Sequence, residues 1–395
     1  MHIVMAGDFP TAPNKKISGG VEAVTLYLTR GLQHYPDLKL DIITLDQRGT
    51  AKRTVKHENI TVHYLPRSGL PGYLSILANI RQMRAEMIRI EPDLVHAHVA
   101  GEYAEAAAIS GLPWVLTPHG IRFREVDLRR GFLDKVYRGW FVKREERRTI
   151  KRAKHLISIT PFIQSTFNGQ IRGKVYNIEN PIPETFFNLP RNGHSGQLLF
   201  AGRLIPLKGV HTLLRAFAKV HRRLPKVTLR LAGENASLNE SGTYYQELKQ
   251  FVAKAGLEKA VIFLGELDQP TLLKEYTNCS TVVLSSVVET SPMVIMEAMA
   301  AGKAVVSTDA GGARYLVEHG QTGLIVPVND EQALAEAIYQ VLSDETKVET
   351  MGRRAREVAT QRFHAKVVAA RTREVYYSML GQHPPQLSGN DHELQ

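Results

Sequence analysis

The feature that most constrains the fold of this chain is a repeated alternation of short apolar strands with helix-patterned segments. The first half contains the strand patterns HIVMAG, LKLDIITL, ITVHYLP, DLVHAH, WVLTPHG and HLISIT. The second half follows the same scheme with QLLFAG, VTLRLAG, AVIFLG, TVVLSS, AVVST and GLIVP. Such alternation is typical of a parallel sheet that carries helices on both faces. We therefore expect an α/β protein with two doubly wound domains.

The length of the chain also favours two domains, because 395 residues exceed what one hydrophobic core usually holds. A proline-rich segment, ENPIPETFFNLPRNGHSGQ, separates the two halves. We predict an N-terminal domain over residues 1–185 and a C-terminal domain over residues 186–365. A final helix over residues 366–382 is expected to pack back on the N-terminal domain. The polar tail, residues 383–395, is expected to be disordered.

Cysteine content and hydropathy indicate the compartment. The single cysteine, Cys279, cannot form an internal disulfide, which fits a reducing cytosol. No stretch approaches the ~18–20 apolar residues that span a bilayer. The start, MHIVMAGDFP, is interrupted too early for a signal peptide and predicts a buried strand with its turn. We expect a cytoplasmic protein and leave open peripheral attachment to the inner face of the membrane.

The net charge of +11 is unevenly distributed along the chain. Residues 122–154 contain 13 Lys and Arg against 5 Asp and Glu, with aromatic and aliphatic residues interleaved at roughly helical spacing. One interpretation is a docking surface for an anionic membrane, where each cation near the surface contributes about 1 kcal/mol. The other interpretation is that the apolar face of this segment packs in the core and its basic face is solvated. Nucleic-acid binding is not expected, because no nucleic-acid module accompanies the segment.

The segment ETSPMVIMEAMAAGKAVVST predicts a helix placed for ligand binding. Ser is a favoured N-cap and Pro a favoured first helical residue, so Ser291 and Pro292 predict a helix over about residues 292–301. Glu289 then lies on the loop before the helix and Glu297 inside it. Two solvated glutamates of a surface helix are the alternative interpretation.

The first amides of this helix, at Met293 and Val294, lack partners within the helix and form a potential anion site. The carboxylates of Glu289 and Glu297 on either side could accept hydrogen bonds from hydroxyl groups. A phosphate site flanked by hydroxyl acceptors suits a sugar nucleotide.

Two cations and two glycines follow other predicted strands, at the sheet edge where ligands of open α/β sheets bind. Arg203 and Lys208 in FAGRLIPLKG could hold a diphosphate and neutralise it as it leaves, although two ordinary surface cations remain the alternative. Gly19 and Gly20 in SGGVE would let backbone amides approach a phosphate or a sugar. Glu266, after AVIFLG, lies where a nucleotide base could bind.

Three histidines follow neighbouring strands of the first half. His119 in LTPHG could bind a substrate hydroxyl or stabilise developing charge. His98 in DLVHAH is expected to line the same region on the acceptor side, whereas packing is a sufficient explanation for His96. A metal site is not expected, because no Cys, Asp or Glu is obviously convergent with these histidines.

Assembled in chain order, these motifs resemble those of the retaining glycosyltransferases of family 4, the glycosyl transferases group 1. The resemblance covers roughly residues 1–380 and is carried by SGGVE, PDLVHAH, TPHG, AGRLIPLKG, the pair Glu289 and Glu297, EAMAAGKAVV and GLIVP. It implies the GT-B fold, in which two Rossmann-like doubly wound domains face each other across a cleft. It also implies transfer of a sugar from a nucleotide-diphosphate donor.

The resemblance assigns roles to individual residues. Arg203 and Lys208 would bind the donor diphosphate, and the loop of Gly19 and Gly20 would lie near its phosphates. Glu297 would bind the ribose and Glu289 would contact the donor sugar. His119 would lie beside the transferred sugar. The family needs no metal ion or cofactor, and its leaving phosphate is usually drawn as accepting the proton of the acceptor. No protein nucleophile is implied.

This chain departs from the family at one place. Thr290-Ser291-Pro292 stands where many members have Gly-Phe-Gly. Because Pro292 cannot donate a backbone N–H, donation must fall to Met293 and Val294. The sugar preference of members with the common pattern is therefore not implied for this chain.

Several functions remain compatible with the sequence. The acceptor of a glycosyltransferase of this kind could be a lipid-linked intermediate of the cell envelope or of an exopolysaccharide, or a soluble molecule. A nicotinamide-dependent dehydrogenase is disfavoured, because the GxGxxG fingerprint is absent. A catalytically inactive GT-B binding module is disfavoured by the intact set of candidate site residues.

Overall fold

The computed structural model describes residues 1–11, 17, 19–46, 49–121, 123, 132–190, 196–234 and 242–386. Two compact units divide the chain. Unit 1 consists of Met1–Pro181 and the chain from Ala365 onward, and unit 2 consists of Ile182–His364.

The regular elements are as follows. The strands are β1 (His2–Ala6), β2 (Lys39–Asp46), β3 (Arg53–His57), β4 (Ile60–Pro66), β5 (Leu94–His98), β6 (Trp114–Thr117), β7 (His155–Ser158), β8 (Lys174–Asn177), β9 (Gln197–Ala201), β10 (Thr228–Ala232), β11 (Val261–Gly265), β12 (Thr281–Leu284), β13 (Ala304–Thr308) and β14 (Gly323–Val326). The helices are α1 (Gly20–Gln33), α2 (Gly72–Ile90), α3 (Glu102–Ser110), α4 (Phe132–Arg152), α5 (Pro161–Thr166), α6 (Glu184–Phe187), α7 (Val210–Arg223), α8 (Gly242–Lys254), α9 (Gln269–Asn278), α10 (Met293–Ala300), α11 (Glu331–Leu342), α12 (Glu345–Arg362) and α13 (Ala365–Met379).

Unit 1 contains an eight-stranded sheet in the order β3-β4-β2-β1-β5-β6-β7-β8. Its strands run parallel except at one edge, where β3 pairs antiparallel with β4. The sequence prediction omits β3 and β8. The β3–β4 hairpin turns at Glu58, which adopts a φ of 52°. Central strands such as β5 are buried along their whole length, as expected for a parallel sheet covered on both faces.

The C-terminal helix α13 packs on α1 within unit 1. A Cβ on Gly31 of α1 would lie 2.8 Å from the Cβ of Ala369, so the absence of a side chain allows the two helices to approach closely. Arg373 Nε of α13 donates a hydrogen bond to Asp37 Oδ2 at 2.9 Å. These contacts join the last helix to the beginning of the chain.

Unit 2 contains six parallel strands in the order β11-β10-β9-β12-β13-β14, which is the order of a Rossmann sheet. All six strands coincide with predicted patterns. The prediction of an α/β protein with two Rossmann-like domains is confirmed by the two sheets.

Unit 2 begins at Ile182, four residues before the predicted start of the C-terminal domain at residue 186. Ile182 N–H donates to the carbonyl oxygen of Phe363 at 2.7 Å, and Phe186 is buried in the unit 2 core. Residues 182–185 thus belong to unit 2 because their backbone and their neighbour Phe186 are anchored to it.

Strand order reverses at one place in each sheet, and ligands of open α/β sheets bind beyond the carboxyl ends of the strands at such a place. In unit 1 the reversal lies between β1 and β5, and in unit 2 between β9 and β12. The loops that follow these four strands are therefore where a site is expected.

Two predictions fall partly outside the described residues. Of the basic segment, residues 122 and 124–131 lie outside them, whereas α4 lies within. Of the tail, residues 387–395 lie outside, and the Pro385 carbonyl oxygen accepts a hydrogen bond from Arg373 Nη2 at 3.1 Å. Within the described part of the chain, no helix is both long enough and apolar enough to cross a membrane.

A buried charged cluster lies in unit 1 beneath the β3–β4 edge. His63 Nε2 lies 2.6 Å from Asp41 Oδ1, and His63 Nδ1 lies 3.1 Å from Glu86 Oε1. Burial opposes the ionisation of Glu86, but hydrogen bonds from Arg89 and Lys52 outweigh it and lower the pKa of Glu86 from 4.5 to about 2. The folded state therefore favours the ionised carboxylate.

We predict that unit 1 loses stability in acid through this cluster. A carboxyl group with a depressed pKa contributes stability above its unfolded pKa and loses it as the pH falls, here from about 4.5 to about 2. Glu86→Gln should lower the free energy of unfolding at pH 7 by about 1–3 kcal/mol. Urea denaturation of both proteins at a series of pH values measures this.

The difference between wild type and Glu86→Gln should shrink as the pH approaches 2. Glu374→Gln, which changes an exposed carboxylate of α13 in the same unit, is the matched control and should have little effect. A difference that stays constant down to pH 2 would contradict the role of Glu86.

Candidate functional site

The loop after β9 carries the two cations predicted to bind a diphosphate. Arg203 is exposed and forms no ion pair with any of the described residues. Lys208 ends a single 3-10 turn, Pro206–Lys208, which leads directly into α7. Both cations thus lie beyond the carboxyl end of β9, at the reversal of strand order in unit 2.

Hydrogen bonds tie this loop to the loop after β12. Ser285 Oγ donates to the Lys208 carbonyl oxygen at 2.8 Å, and Val287 N–H donates to the Leu207 carbonyl oxygen at 2.9 Å. Gly209 adopts a φ of 62°, and a Cβ there would overlap the Ser285 carbonyl oxygen. Only glycine therefore allows the two loops to approach this closely.

The approach of the loops brings Lys208 to Glu289. Lys208 Nζ donates to Glu289 Oε1 at 2.6 Å, and Ser286 Oγ donates to the same oxygen at 2.7 Å. Glu289 N–H donates to the Ala310 carbonyl oxygen at 3.0 Å, which fixes the backbone that carries the carboxylate. The predicted phosphate-binding lysine and the predicted sugar-binding carboxylate are thus direct neighbours.

The start of α10 differs from the prediction. The helix spans Met293–Ala300, and the residue in the N-cap position is Pro292 rather than Ser291. Proline has no side chain that can cap the first amides. No described residue accepts a hydrogen bond from the N–H groups of Met293 and Val294, and Ser291 Oγ is buried without a partner among the described residues. The predicted free amides are present, but without the predicted serine cap.

Glu297 lies one turn into α10 and is held by a buried tyrosine. Tyr276 Oη donates to Glu297 Oε2 at 2.7 Å. Burial raises the pKa of Glu297 and outweighs the opposing effect of this hydrogen bond. The second carboxylate oxygen, Oε1, is the one that could receive a ligand hydroxyl.

Two further donor contacts were predicted, one from Glu266 and one from the pair Gly19 and Gly20. Glu266 is exposed after β11, the edge strand of the unit 2 sheet. In unit 1, Gly19 caps α1 and Gly20 begins it, and both are exposed. Glu22 in the first turn of α1 adds a negative charge, which opposes the binding of a phosphate at this helix start. The roles of these residues remain predictions.

The three histidines form a row at the carboxyl ends of β5 and β6. The rings of His96 and His98 stack with centroids 4.1 Å apart, and His98 Nδ1 lies 2.8 Å from His119 Nε2. Burial lowers the pKa of His96 to about 3, that of His98 well below its usual value, and that of His119 to about 4. All three rings are therefore neutral at pH 7.

The position of His98 corrects one prediction. Its side chain is 0% exposed, because it is enclosed between His96, His119 and the backbone at Gly7. His98 therefore does not line an accessible surface and reaches a substrate only through His119, which is partly exposed. Within the described chain, no group of three His, Cys, Asp or Glu side chains is arranged to hold a metal ion.

Sequence reasoning missed four residues that shape these sites. Ser285 and Ser286 position the loop and the carboxylate described above, Tyr276 holds Glu297, and Asn180 lies beside His119. The two serines had a usable signal, since they directly follow the apolar run TVVL. Tyr276 and Asn180 come from distant segments without a motif.

We predict that Gly209→Ala disrupts the Lys208 loop. The new Cβ would overlap the Ser285 carbonyl oxygen in addition to the ~1–2 kcal/mol cost of a left-handed backbone, so the free energy of unfolding should fall by about 3 kcal/mol or more. Gly256→Ala is the matched control, because Gly256 has a φ of 66° with no atom within 4 Å of the added Cβ. Equal destabilisation of the two variants, measured by urea denaturation, would contradict the close approach.

Comparison with known proteins identifies the family. The model of the glycosyl transferases group 1 matches residues 181–358, and the model of Glycosyltransferase Family 4 matches residues 18–186. A glycogen synthase of Mycobacterium tuberculosis is 30% identical over 328 residues, which cover 80% of this chain and 76% of that protein.

Solved structures agree with this family. The sucrose-phosphate synthase of Thermosynechococcus elongatus superposes with a TM-score of 0.81 at 21% identity, covering 96% of this chain and 99% of that chain. The HepE protein of Anabaena in complex with UDP gives a TM-score of 0.71 at 25% identity, covering 96% of this chain and 100% of that chain. The chain thus has the predicted GT-B fold and belongs to the group 1 glycosyltransferases of family 4, which makes it a glycosyltransferase.

Proposed function

We propose that this glycosyltransferase moves a sugar from a nucleotide-diphosphate donor to a hydroxyl acceptor with retention of configuration and without a metal ion. The observation that carries the donor assignment is the group of residues at the strand reversal of unit 2. There Arg203 and Lys208 lie on a loop that is hydrogen-bonded to the loop after β12, and α10 begins with two amides, those of Met293 and Val294, that donate to no described residue. This is an arrangement that suits a diphosphate.

The nucleotide part of the donor is supported from two sides. HepE, which has the same fold, was crystallised with UDP. In this chain Tyr276 donates to Glu297 Oε2 and no described residue donates to Oε1, so a ribose hydroxyl could donate to Oε1.

Charge balance supports a reaction without a metal ion. The leaving diphosphate gains negative charge as the bond to the sugar breaks, and Arg203 and Lys208 supply positive charge at the place proposed for it. Lys208 can turn from Glu289 to a phosphate without leaving the carboxylate unpaired, because Ser286 still donates to Glu289 at 2.7 Å. Glu289 can then accept a hydrogen bond from a hydroxyl of the donor sugar.

Retention of configuration follows from the proposed direction of attack. The acceptor oxygen approaches the sugar on the face that the diphosphate leaves, and the leaving phosphate oxygen accepts the acceptor proton. Glu289 contacts the sugar rather than attacking it, so no covalent sugar–enzyme bond forms. The charge of the leaving group is held by the two cations throughout.

We propose a lipid-linked acceptor of envelope or exopolysaccharide synthesis, and peripheral attachment to an anionic membrane. An exposed apolar surface supports this. It is formed by Tyr73 and Leu74 at the start of α2 and by Trp140 and Phe141 of α4, which are 50%, 56%, 59% and 42% exposed. Tyr73 and Phe141 join the two helices, with ring centroids 5.6 Å apart. Exposed aromatic residues of this kind suit the membrane interface.

Cations lie on the same helix as Trp140 and Phe141. Residues 140–154 contain 7 Lys and Arg and 2 glutamates, and neither glutamate is exposed. The Arg144 guanidinium lies 5.3 Å from the Trp140 ring centroid, so charge and aromatic surface occur together. Attraction to anionic lipids and burial of aromatic rings would therefore act on the same face of α4.

We predict that Lys208→Ala and Glu289→Gln separate donor binding from transfer. Lys208→Ala should weaken binding of a nucleoside diphosphate by on the order of tenfold, because a charged hydrogen bond is lost. Glu289→Gln should keep that affinity within about threefold and lower kcat by on the order of 100-fold. Calorimetry with UDP, GDP and ADP measures the first effect, and turnover of the matching nucleotide sugar measures the second.

Arg215→Ala is the matched control for these variants, since Arg215 is an exposed cation of α7 on unit 2 that pairs only weakly, at 3.8 Å, with Glu331. Unchanged nucleoside diphosphate binding in Lys208→Ala, or wild-type turnover in Glu289→Gln, would contradict the donor site.

We predict that the double variant Trp140→Ser/Phe141→Ser reduces co-sedimentation with vesicles of anionic phospholipid by on the order of tenfold, because the aromatic surface available for insertion is lost. Arg144→Gln/Arg147→Gln should reduce it by a similar factor at about 0.1 M salt and less at high salt. Ile262→Ser, which changes an exposed apolar residue of unit 2, is the control.

Two outcomes would contradict membrane attachment. One is the absence of wild-type protein from the vesicle pellet, which would favour the soluble-acceptor alternative. The other is equal loss of binding in the unit 2 control. Donor binding by calorimetry should be unchanged in all of these variants, because the changed residues of α4 lie outside the nucleotide site.

A further inference from the structure

The loop that follows β1, residues 7–11, carries a carboxylate that has no role in the donor site. Asp8 is exposed and lies directly beyond the carboxyl end of β1. β1 is one of the two strands between which the strand order of unit 1 reverses. Because ligands of open α/β sheets bind at such a place, Asp8 lies where a ligand of unit 1 is expected.

Hydrogen bonds from the neighbouring strands hold the backbone of this loop. Phe9 N–H donates to Thr44 Oγ1 of β2 at 3.2 Å. Tyr64 Oη of β4 donates to the Pro10 carbonyl oxygen at 2.6 Å. The residues that follow Asp8 are thus fixed to the sheet.

The antiparallel edge strand β3 adds a further contact to the loop. Arg53, the first residue of β3, donates from Nη2 to the Thr11 carbonyl oxygen at 2.7 Å. Its guanidinium lies 3.7 Å from the ring centroid of Tyr64, so the two side chains that hold the loop also hold each other. Residues bound on three strands keep a loop in one position, as a binding site requires.

A buried tyrosine holds one oxygen of the Asp8 carboxylate. Tyr103 Oη donates to Asp8 Oδ1 at 3.0 Å, and Tyr103 Oη itself accepts a hydrogen bond from Leu45 N–H at 3.2 Å. Tyr103 is 7% exposed, so its ring cannot move away easily. No described residue donates to Asp8 Oδ2. One oxygen of the carboxylate is therefore fixed and the other is open to a ligand.

The surroundings of the carboxylate reduce its hydration. Although Asp8 is exposed, loss of water to the neighbouring protein atoms raises the pKa of Asp8 from 3.8. The hydrogen bond from Tyr103 and the charge of Arg67 oppose this effect, and the charge of Glu22 adds to it. Part of the water that a ligand would have to displace from Asp8 is thus already absent.

Contacts within unit 1 join this loop to His119. A Cβ on Gly7 would lie 2.9 Å from the Cβ of His98, and His98 Nδ1 lies 2.8 Å from His119 Nε2. Asp8 and His119 follow β1 and β6, which are separated by β5 alone. Two strand spacings amount to about 10 Å, so a molecule bound at Asp8 could reach a sugar beside His119.

We propose that Asp8 binds the acceptor substrate and that the part of the acceptor bound there is a sugar or another polyol. The identity of this ligand as the acceptor rests on the proposed function. An ionised carboxylate only accepts hydrogen bonds, and Oδ2 has two positions at which to accept them. Two adjacent hydroxyl groups can fill both positions, whereas a molecule with one hydroxyl fills one. Tyr103 is a positioning residue, because it acts on the ligand through Asp8.

Methyl glycosides, which are sugars without a lipid, test this proposal in the full-length protein. Saturation-transfer NMR in the presence of UDP, GDP and ADP measures the dissociation constants of the methyl glycosides of glucose, galactose and mannose. We expect at least one of them to bind, and Asp8→Ala to weaken that binding by on the order of tenfold, because hydrogen bonds to a charged group are lost. Cyclohexanol and cyclohexylammonium, which carry a single hydroxyl group or a single positive charge, should bind more weakly than this glycoside.

Asp93→Ala is the matched control. Asp93 is also an exposed aspartate of unit 1 with one hydrogen bond to its carboxylate, from His2 N–H at 2.7 Å, but it precedes β5 and lies at the opposite end of the strands. Its substitution should leave glycoside binding unchanged. Asp8→Asn, which keeps one accepting oxygen, should retain more affinity than Asp8→Ala. Tyr103→Phe should weaken binding by about threefold, since Asp8 is then present but not held.

Three results would overturn the proposal. They are the absence of binding of every glycoside to the wild-type protein, equal affinity in wild type and Asp8→Ala, and tighter binding of cyclohexanol or cyclohexylammonium than of any glycoside. Thermal melting verifies that the variants are folded. If Asp8→Ala does not fold, unchanged glycoside affinity in both Asp8→Asn and Tyr103→Phe would overturn the proposal instead.

Transfer kinetics separate this proposal from the proposed function. With a nucleotide sugar as donor, Asp8→Ala should raise the KM for the glycoside and leave the dissociation constant of the nucleoside diphosphate unchanged. A wild-type protein that binds a glycoside through Asp8 but transfers no sugar would contradict the proposed function and leave the Asp8 site in place. A KM for the glycoside that is unchanged in Asp8→Ala would contradict the Asp8 site and leave the proposed function in place.

Discussion

The hydrogen bonds between the loops after β9 and β12 are the interaction on which the candidate donor site depends. They place the Ser285 hydroxyl and the Val287 amide on carbonyl groups of the Lys208 turn, and they are possible because Gly209 has no side chain. Strand order reverses between these two strands, so no crossover helix separates their loops. Backbone contacts of short loops thus determine the position of Lys208 beside Glu289.

The sequence was sufficient for those features that depend on local patterns. All six strands of unit 2 contain apolar runs and could be predicted, even the partly exposed edge strand β11, whereas the short edge strand β3 has mixed polarity and was missed. Arg203, Lys208 and Glu289 were accessible to prediction because strand ends mark the ligand edge. The capping of α10 was not, because both Ser291 and Pro292 fit a helix start and only tertiary packing decides which takes the N-cap.

Burial distinguishes His98 from His119, which the sequence alone could not do. His98 and His119 both follow apolar strands, and each would be read as a candidate ligand. In the fold, His98 is the last residue of β5 and is enclosed by His96, His119 and the backbone at Gly7, whereas His119 lies two residues beyond the end of β6 and stays partly exposed. The point at which each strand ends, which depends on long-range strand pairing, therefore decides which of the two rings is exposed.

The discontinuity of unit 1 has a consequence for the order of events during synthesis on the ribosome. Residues 1–181 emerge first, but α13, with Arg373 bound to Asp37 and Tyr376 bound to His96, is made only after all of unit 2. Unit 2 is a continuous stretch and can complete its fold as soon as it has emerged. Until α13 has emerged, unit 1 therefore carries an uncovered apolar face on α1 that nascent-chain chaperones could recognise.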